Sequence, residues 1–173
     1  MSRSAPWQVG NVPGWVVARK LTGESLERLL KKATNPLLIV SKLDDFEMNV
    51  AIKFMKNLAE RGNTIVFTPW AVKAFQGQDI SYNAILGLVE VTNRLVKGGQ
   101  IGNKNGDFDL VLFLGGLYYY QSQILSAIKN FATHLTTVSL MRYYQPNATY
   151  SFPNLKEKRW ISEMESVLET LAE

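Results

Sequence analysis

Apolar positions recur every three or four residues in five stretches of the chain, each bounded by residues that start or stop helices. Leu26, Leu29, Leu30 and Ala33 follow Thr22, a good N-cap. Phe46, Val50, Phe54 and Leu58 follow Asp44 and Asp45, with Gly62 as the stop. Ser81 opens a third helix with Ile85, Leu88, Val89, Thr92, Leu95 and Val96 on one stripe, ended by Gly98 and Gly99. After Gly116 a fourth puts Tyr120, Ile124, Ala127, Ile128 and Phe131 on its inner side. The last runs from about Lys156 to Leu171, with Trp160, Ile161, Met164, Val167, Leu168 and Leu171 inward. These stripes read as core faces, not as cofactor boxes.

Short apolar runs separate the helices: Leu37 to Val40, Thr64 to Phe67, Asp109 to Leu114 and Leu135 to Leu140, with a shorter one at Ala148 to Phe152. The first three are nearly continuous, which suits strands covered on both faces. Strands alternating with amphipathic helices predict a three-layer α/β domain with a parallel sheet and right-handed crossovers. The expected division is an extended N-terminal arm over residues 1–21 and a single α/β domain over 22–173. In the arm, Trp7, Val9, Val12, Trp15, Val16 and Val17 sit among Pro6, Gly10, Pro13 and Gly14 without helical period. Such a segment packs on its own domain or anchors a partner.

Composition narrows the chemistry sharply. The 173 residues include no cysteine and one histidine. No thiolate zinc site, cysteine-ligated iron–sulfur cluster, thiol nucleophile or disulfide framework can be built from them, and a His-rich metal triad is equally out of reach. No metal site is expected. Net charge is +4 with the 19 Lys and Arg scattered, which speaks against nucleic acid as a partner. No apolar run approaches the roughly 20 residues that span a bilayer. Residues Met1 to Asn11 lack the apolar segment of a secretory signal, so no membrane association and a cytoplasmic location are expected.

In an open parallel sheet, ligands collect beyond the carboxyl ends of the strands. The residues there are Ser41 to Leu43, Thr68 to Trp70, Gly115 and Gly116, and Met141 to Tyr143. Gly115-Gly116 lies between a buried strand and a helix, where backbone amides can approach a pyrophosphate. The competing reading is a turn that merely lets the helix pack on the sheet. Arg142 offers a planar fork for phosphate or carboxylate at the same end, whereas Lys42 reads as a solvated charge. The glycine-rich Lys97–Asp107 stretch lacks the Gly-Lys-Ser/Thr ending and precedes a strand, so it is a long connection and no phosphate loop. Tyr118 to Tyr120 and Tyr143-Tyr144 put aromatics at two neighbouring strand ends, in part for packing and in part as a surface patch suited to a protein interface or an isoalloxazine ring. His134 falls at the opposite, amino end and reads as structural. Asn147-Ala148-Thr149 matches a glycosylation sequon by chance. No catalytic constellation can be assembled.

One long run carries a family resemblance. Gly106-Asp107-Phe108-Asp109-Leu110-Val111-Leu112-Phe113-Leu114-Gly115-Gly116 leads into Gln123–Phe131 and on to Gln145-Pro146-Asn147-Ala148-Thr149-Tyr150-Ser151-Phe152-Pro153-Asn154-Leu155. With Asn35-Pro36-Leu37-Leu38-Ile39-Val40 it closely resembles the epsilon subunit of the archaeal acetyl-CoA decarbonylase/synthase complex. The likeness is strong over residues 106–155, fair over 22–67 and loose elsewhere. It implies the fold of the nucleotide-binding middle domain of thiamine-diphosphate enzymes, a DHS-like NAD/FAD-binding fold. It further implies a non-catalytic accessory role beside the nickel–iron carbon monoxide dehydrogenase alpha subunit, in an alpha2–epsilon2 hetero-oligomer within a larger complex that oxidises CO or reduces CO2. A homo-oligomer is the corresponding state of the isolated chain. The family has no established catalytic residues in this subunit, so none is carried over. The resemblance also implies FAD at a subunit interface, with Gly115, Gly116 and Arg142 as the residues to hold it. The alternative is a flavin- or dinucleotide-binding electron-transfer module acting alone. The missing catalytic histidine motif and four-cysteine zinc module speak against an independent enzyme on the same fold, such as an NAD-dependent deacylase or a deoxyhypusine-synthase-like enzyme.

Overall fold

The computed structural model describes residues 14–171. Residues 1–13 of the expected arm lie outside the described residues. The elements run in order β1 (Arg19–Lys20), α1 (Gly23–Lys32), β2 (Pro36–Val40), a 3-10 turn at Asp45–Glu47, α2 (Met48–Glu60), β3 (Thr64–Phe67), α3 (Pro69–Ala74), β4 (Ala84–Ile85), α4 (Leu88–Lys97), β5 (Leu110–Leu114), α5 (Tyr118–Phe131), β6 (Thr136–Ser139), β7 (Tyr150–Ser151) and α6 (Glu157–Leu171). The strands form one seven-stranded sheet in the order β1-β7-β6-β5-β2-β3-β4, and every pairing is parallel. This is the expected α/β class.

Two apolar layers sandwich the sheet. Side chains of β2, β3 and β5 alternate between them, so Leu38, Val40, Leu112 and Leu114 meet α2 and α6, while Leu37, Ile39, Val111 and Phe113 meet α4 and α5. All five residues of β2 and of β5 are buried, which is why both read as continuous apolar runs. Trp160 is fully buried in the first layer, and its indole N–H donates to the Leu140 carbonyl at 2.7 Å. Thr22 caps α1 as its position implied, accepting from the Ser25 amide at 3.2 Å while Ser25 Oγ accepts the Thr22 amide at 2.8 Å.

The structure corrects several boundaries. The helix expected from Ser81 begins only at Leu88, and Ala84–Ile85 is a strand on the outer side of β3. Asn83 explains the change: its amide donates to the Ile65 carbonyl at 2.8 Å and its Oδ1 accepts the Ile65 amide at 2.7 Å, pinning the segment to β3. Ile85 and Val89, placed on a buried stripe by the period, are consequently half exposed. The inner face of α5 is Gln121, Ile124, Leu125 and Ile128, whereas Tyr120 and Phe131 face outward. Helix α3 and strand β1 had no signal, being too short to show a period. The Lys97–Asp107 stretch is the long connection expected, from α4 to β5, and it folds back on itself. Gly98 closes α4 in the left-handed region, Ile101 is fully buried, and Ile101 and Lys104 bridge each other.

At the other lateral edge, the residues leading into α1 join the sheet. The Ala18, Arg19 and Leu21 amides donate to Pro146, Thr149 and Ser151 carbonyls at 3.1, 2.9 and 2.8 Å. Tyr144 is buried and donates its hydroxyl to the Ala18 carbonyl at 2.6 Å, which locks this junction.

Candidate functional site at the carboxyl end of the sheet

The strand order reverses between two central neighbours. From β2 the sheet grows outward through β3 and β4, and from β5 it grows the other way through β6, β7 and β1. The helices that follow them, α2 and α5, therefore leave to opposite faces. In such sheets the chain parts at the carboxyl ends of the two strands, and a crevice forms there. Ser41-Lys42 and Gly115-Gly116 are the residues at this point.

Gly115 and Gly116 serve close packing of the two diverging loops. Gly115 has φ +71°, and a Cβ there would collide with the Lys42 carbonyl oxygen and with Leu43 Cδ2. The Gly116 amide donates to the same Lys42 carbonyl at 2.6 Å. Behind the turn, Gln121 is buried and ties the Gly115 loop to the end of β6. Its Nε2 donates to the Gly115 carbonyl at 3.1 Å, and its Oε1 accepts from Ser139 Oγ at 2.8 Å. Gln145, also fully buried, donates from Nε2 to the Tyr118 carbonyl at 2.8 Å. Its Oε1 has no partner among the described residues. Leu117 is the N-cap of α5 and supplies no side-chain hydrogen bond, and both it and Tyr119 are exposed.

Arg142 stands on the loop after β6. Its guanidinium lies 4.3 Å from the ring centre of Tyr143 and 5.8 Å from that of Phe46, and its Nη2 is 3.8 Å from Glu157 Oε1. The loop running from Lys42 to Phe46 thus touches Gly115 near one end and Arg142 at the other. The three expected residues border one loop. Glu47 closes it. Burial is the main cause that pushes its carboxyl up to about 7, with nearby Asp44 adding to the rise, while the Asp44 N–H it accepts at 2.8 Å and the Arg142 charge pull the other way. Lys42 is exposed, and its Nζ lies 5.9 Å from the centre of the exposed Trp70 ring.

Other candidates are placed elsewhere. His134 is exposed at the amino end, where it lines an open groove of about 640 Å³ with Arg19, Lys32, Lys129, Ile128 and Leu135. Asp109 borders that groove and is committed to the turn before β2. Burial raises its carboxyl, but hydrogen bonds from the Thr34 amide and hydroxyl and the Asn35 amide outweigh this and hold it below the ordinary range. Asn147 Nδ2 donates to Ser122 Oγ at 3.1 Å. Sequence reasoning missed Gln121, Gln145 and Glu47. Gln121 stands three and seven residues before Ile124 and Ile128, so its helical position marks it as inward-facing.

Fold and site together define a doubly wound α/β domain whose strand order reverses beside a glycine turn, a buried polar network and an arginine. Among the described residues no group of metal-ligating side chains occurs, and no helix is long and apolar enough to cross a membrane. Comparison with known proteins gives the particular family. Residues 1–168 match the model of the CO dehydrogenase beta subunit/acetyl-CoA synthase epsilon subunit family, and the chain belongs to that family. It is 32% identical over 166 residues to the acetyl-CoA decarbonylase/synthase complex subunit epsilon of Methanothermobacter thermautotrophicus, covering 95% of each chain. The subunit epsilon of Methanothrix soehngenii is 32% identical over 152 residues, 87% of this chain and 81% of the relative. The subunit epsilon 1 of Methanosarcina barkeri is 29% identical over 165 residues, 91% and 92% of the two chains.

Proposed function

We propose that this chain is a non-catalytic accessory subunit of an acetyl-CoA decarbonylase/synthase complex that binds the nickel–iron carbon monoxide dehydrogenase alpha subunit, as alpha2–epsilon2, and stabilises it. The observation that carries this reading is family membership along nearly the whole chain. The cysteine-free sequence agrees with it, because a chain without thiolates contributes to a nickel–iron and iron–sulfur system through its surfaces. The test is to express the chain with the alpha subunit and ask whether the two elute together, and whether CO oxidation at elevated temperature persists longer in the pair. Separate elution, with CO oxidation unchanged by the chain's absence, overturns it.

A second element of the proposal is FAD at the interface between the two subunits, which would supply one- and two-electron redox chemistry when bound. Arg142 and the uncapped first turn of α5 are the groups suited to its phosphates, and Tyr119 and Tyr143 to its ring. Gly115 and Gly116 shape the wall, since the Gly116 amide is already bonded to Lys42. FAD titrated into the chain and then into the pair should quench its fluorescence only in the pair. No quenching in either removes this element and leaves the first intact.

A further inference from the structure

Two charged side chains at the carboxyl end of the sheet are buried with fewer partners than their chemistry calls for. Glu47 closes the 3-10 turn and is buried, and its carboxyl accepts the Asp44 amide at 2.8 Å. A carboxylate has several further acceptor sites to fill. Arg142 Nε is also shut away from water, and it has no acceptor among the described residues. A buried N–H without an acceptor is unfavourable, more so when it belongs to a cation. The two residues come together at Phe46. The Arg142 guanidinium lies 5.8 Å from the centre of that ring, Glu47 is the next residue in the chain, and the Arg142 charge acts on the Glu47 carboxyl.

The frame around this pair is fixed. The Arg142 carbonyl accepts the Leu155 amide at 2.8 Å, and the Tyr144 amide donates to Asn154 Oδ1 at 2.9 Å. Phe46 is held edge-on by the buried Trp160 of α6. What is left to move is the Arg142 side chain, whose present contacts are the Tyr143 ring at 4.3 Å and Glu157 Oε1 at 3.8 Å. Glu157 is 56% exposed, and an ion pair that long with a partner open to water holds a guanidinium weakly. The charges bearing on Glu47 come from three elements. Asp44 of its own turn, beside exposed Asp45, disfavours ionisation, and Arg142 of the loop after β6 favours it. Helix α6 supplies Glu157, which competes for Arg142.

We infer that Glu47 is a positioning residue for Arg142: as a carboxylate it accepts the Arg142 Nε–H and holds the guanidinium to the Lys42–Glu47 loop, and as a carboxylic acid it releases the guanidinium to an anionic group at the carboxyl end of the sheet. Only a proton is exchanged, between the carboxyl and water. The structure shows the released arrangement, with Arg142 Nε unbonded. Burial keeps Glu47 in its acid form up to about pH 7, so release is complete in mild acid and is lost as pH climbs past that value. The inference deepens the reading of Arg142 as a group that holds phosphate, and rests on it only for the identity of the natural anion.

The test follows the Arg142 Nε–H by heteronuclear NMR from about pH 5 to about pH 9, the signal being assigned by its loss in Arg142→Lys. The unaltered chain, Glu47→Gln and Glu157→Gln are compared. Glutamine at 47 keeps an acceptor for the Asp44 amide, and circular dichroism checks that both variants fold. The Arg142 signal should shift with a midpoint of about 7 in the unaltered chain and in Glu157→Gln, and should not titrate in Glu47→Gln. Inorganic sulfate, whose charge is constant over this range, is the anion probe. It should bind the unaltered chain about tenfold more weakly at the upper pH than at the lower, and Glu47→Gln equally at both. A flat Arg142 signal, a titration that survives in Glu47→Gln, or sulfate binding that ignores pH in the unaltered chain overturns the inference. If Glu47→Gln does not fold, the carboxyl carbon of Glu47 is followed beside Arg142 in the unaltered chain. One shared midpoint supports the inference and two separate midpoints overturn it. FAD that fails to bind while sulfate behaves as expected removes the flavin reading and leaves this one standing.

Discussion

Glu47 is the residue whose environment departs furthest from what its type prefers. The residue is 6% exposed, its carboxyl accepts the Asp44 backbone N–H, and the Arg142 charge acts on it. Burial therefore keeps it protonated up to about pH 7, against an ordinary value of 4.5 in the unfolded chain. A carboxyl raised in the fold favours the folded state fully below pH 4.5, and that advantage is lost as pH climbs to about 7. Glu47→Gln preserves the acceptor for the Asp44 amide but cannot ionise. It should match the unaltered chain near pH 4 and exceed its stability at pH 8, by at most about 3 kcal/mol. Urea unfolding of both proteins at the two pH values measures this. A difference independent of pH would mean that the fold leaves this carboxyl unshifted, and a difference of opposite sign would mean that Arg142 outweighs burial.

At the scale of elements, α6 is held to the sheet by its tryptophan. Trp160 fills the first apolar layer, donates to the Leu140 carbonyl and meets the Phe46 ring edge-on at 5.8 Å. Trp160→Phe leaves that carbonyl without its donor and opens a small void, so a loss of about 2–4 kcal/mol in urea unfolding is expected. Elements of this kind were legible because a long amphipathic helix repeats its signal over several turns. The strands β2, β3 and β5 were legible for a related reason, since burial on both faces leaves few polar positions. The elements at the flanks were not. Ala84–Ile85 is a strand only because Asn83 is bonded to Ile65, a partner eighteen residues away that no local window contains. The stripe of α5 was misread because Gln121, a polar residue, occupies an inward position that pays its way through Gly115 and Ser139. At the candidate site the sequence located Gly115, Gly116 and Arg142 at one end of the sheet because each follows a run read as a parallel strand. It did not show that the Gly116 amide is taken by Lys42, because a loop-to-loop bond follows from the crossing of two chains and not from either one.

For the molecule as a whole, large apolar side chains are exposed at both ends of the sheet. Exposed Leu117, Tyr119 and Trp70 contribute nothing to the core and remain available to a partner. A partner that binds the folded chain and not the unfolded one stabilises it by mass action, about 2.7 kcal/mol at a hundredfold excess over Kd. The melting temperature of this chain should accordingly rise when the alpha subunit is added, and the rise should grow with its concentration. Differential scanning calorimetry of the chain alone and of the pair would read it, and an unchanged transition would argue against association.

The two outermost strands are each only two residues long, Arg19–Lys20 and Ala84–Ile85. A flank so brief gives an incoming strand almost no unpaired backbone to copy, and Lys20 puts a charge at one of them. The sheet is thus protected from growing sideways into a continuous aggregate during synthesis, even though apolar side chains are exposed at its two ends. Stickiness is kept where the surface is shaped by side chains and withheld where bare backbone would accept any sequence.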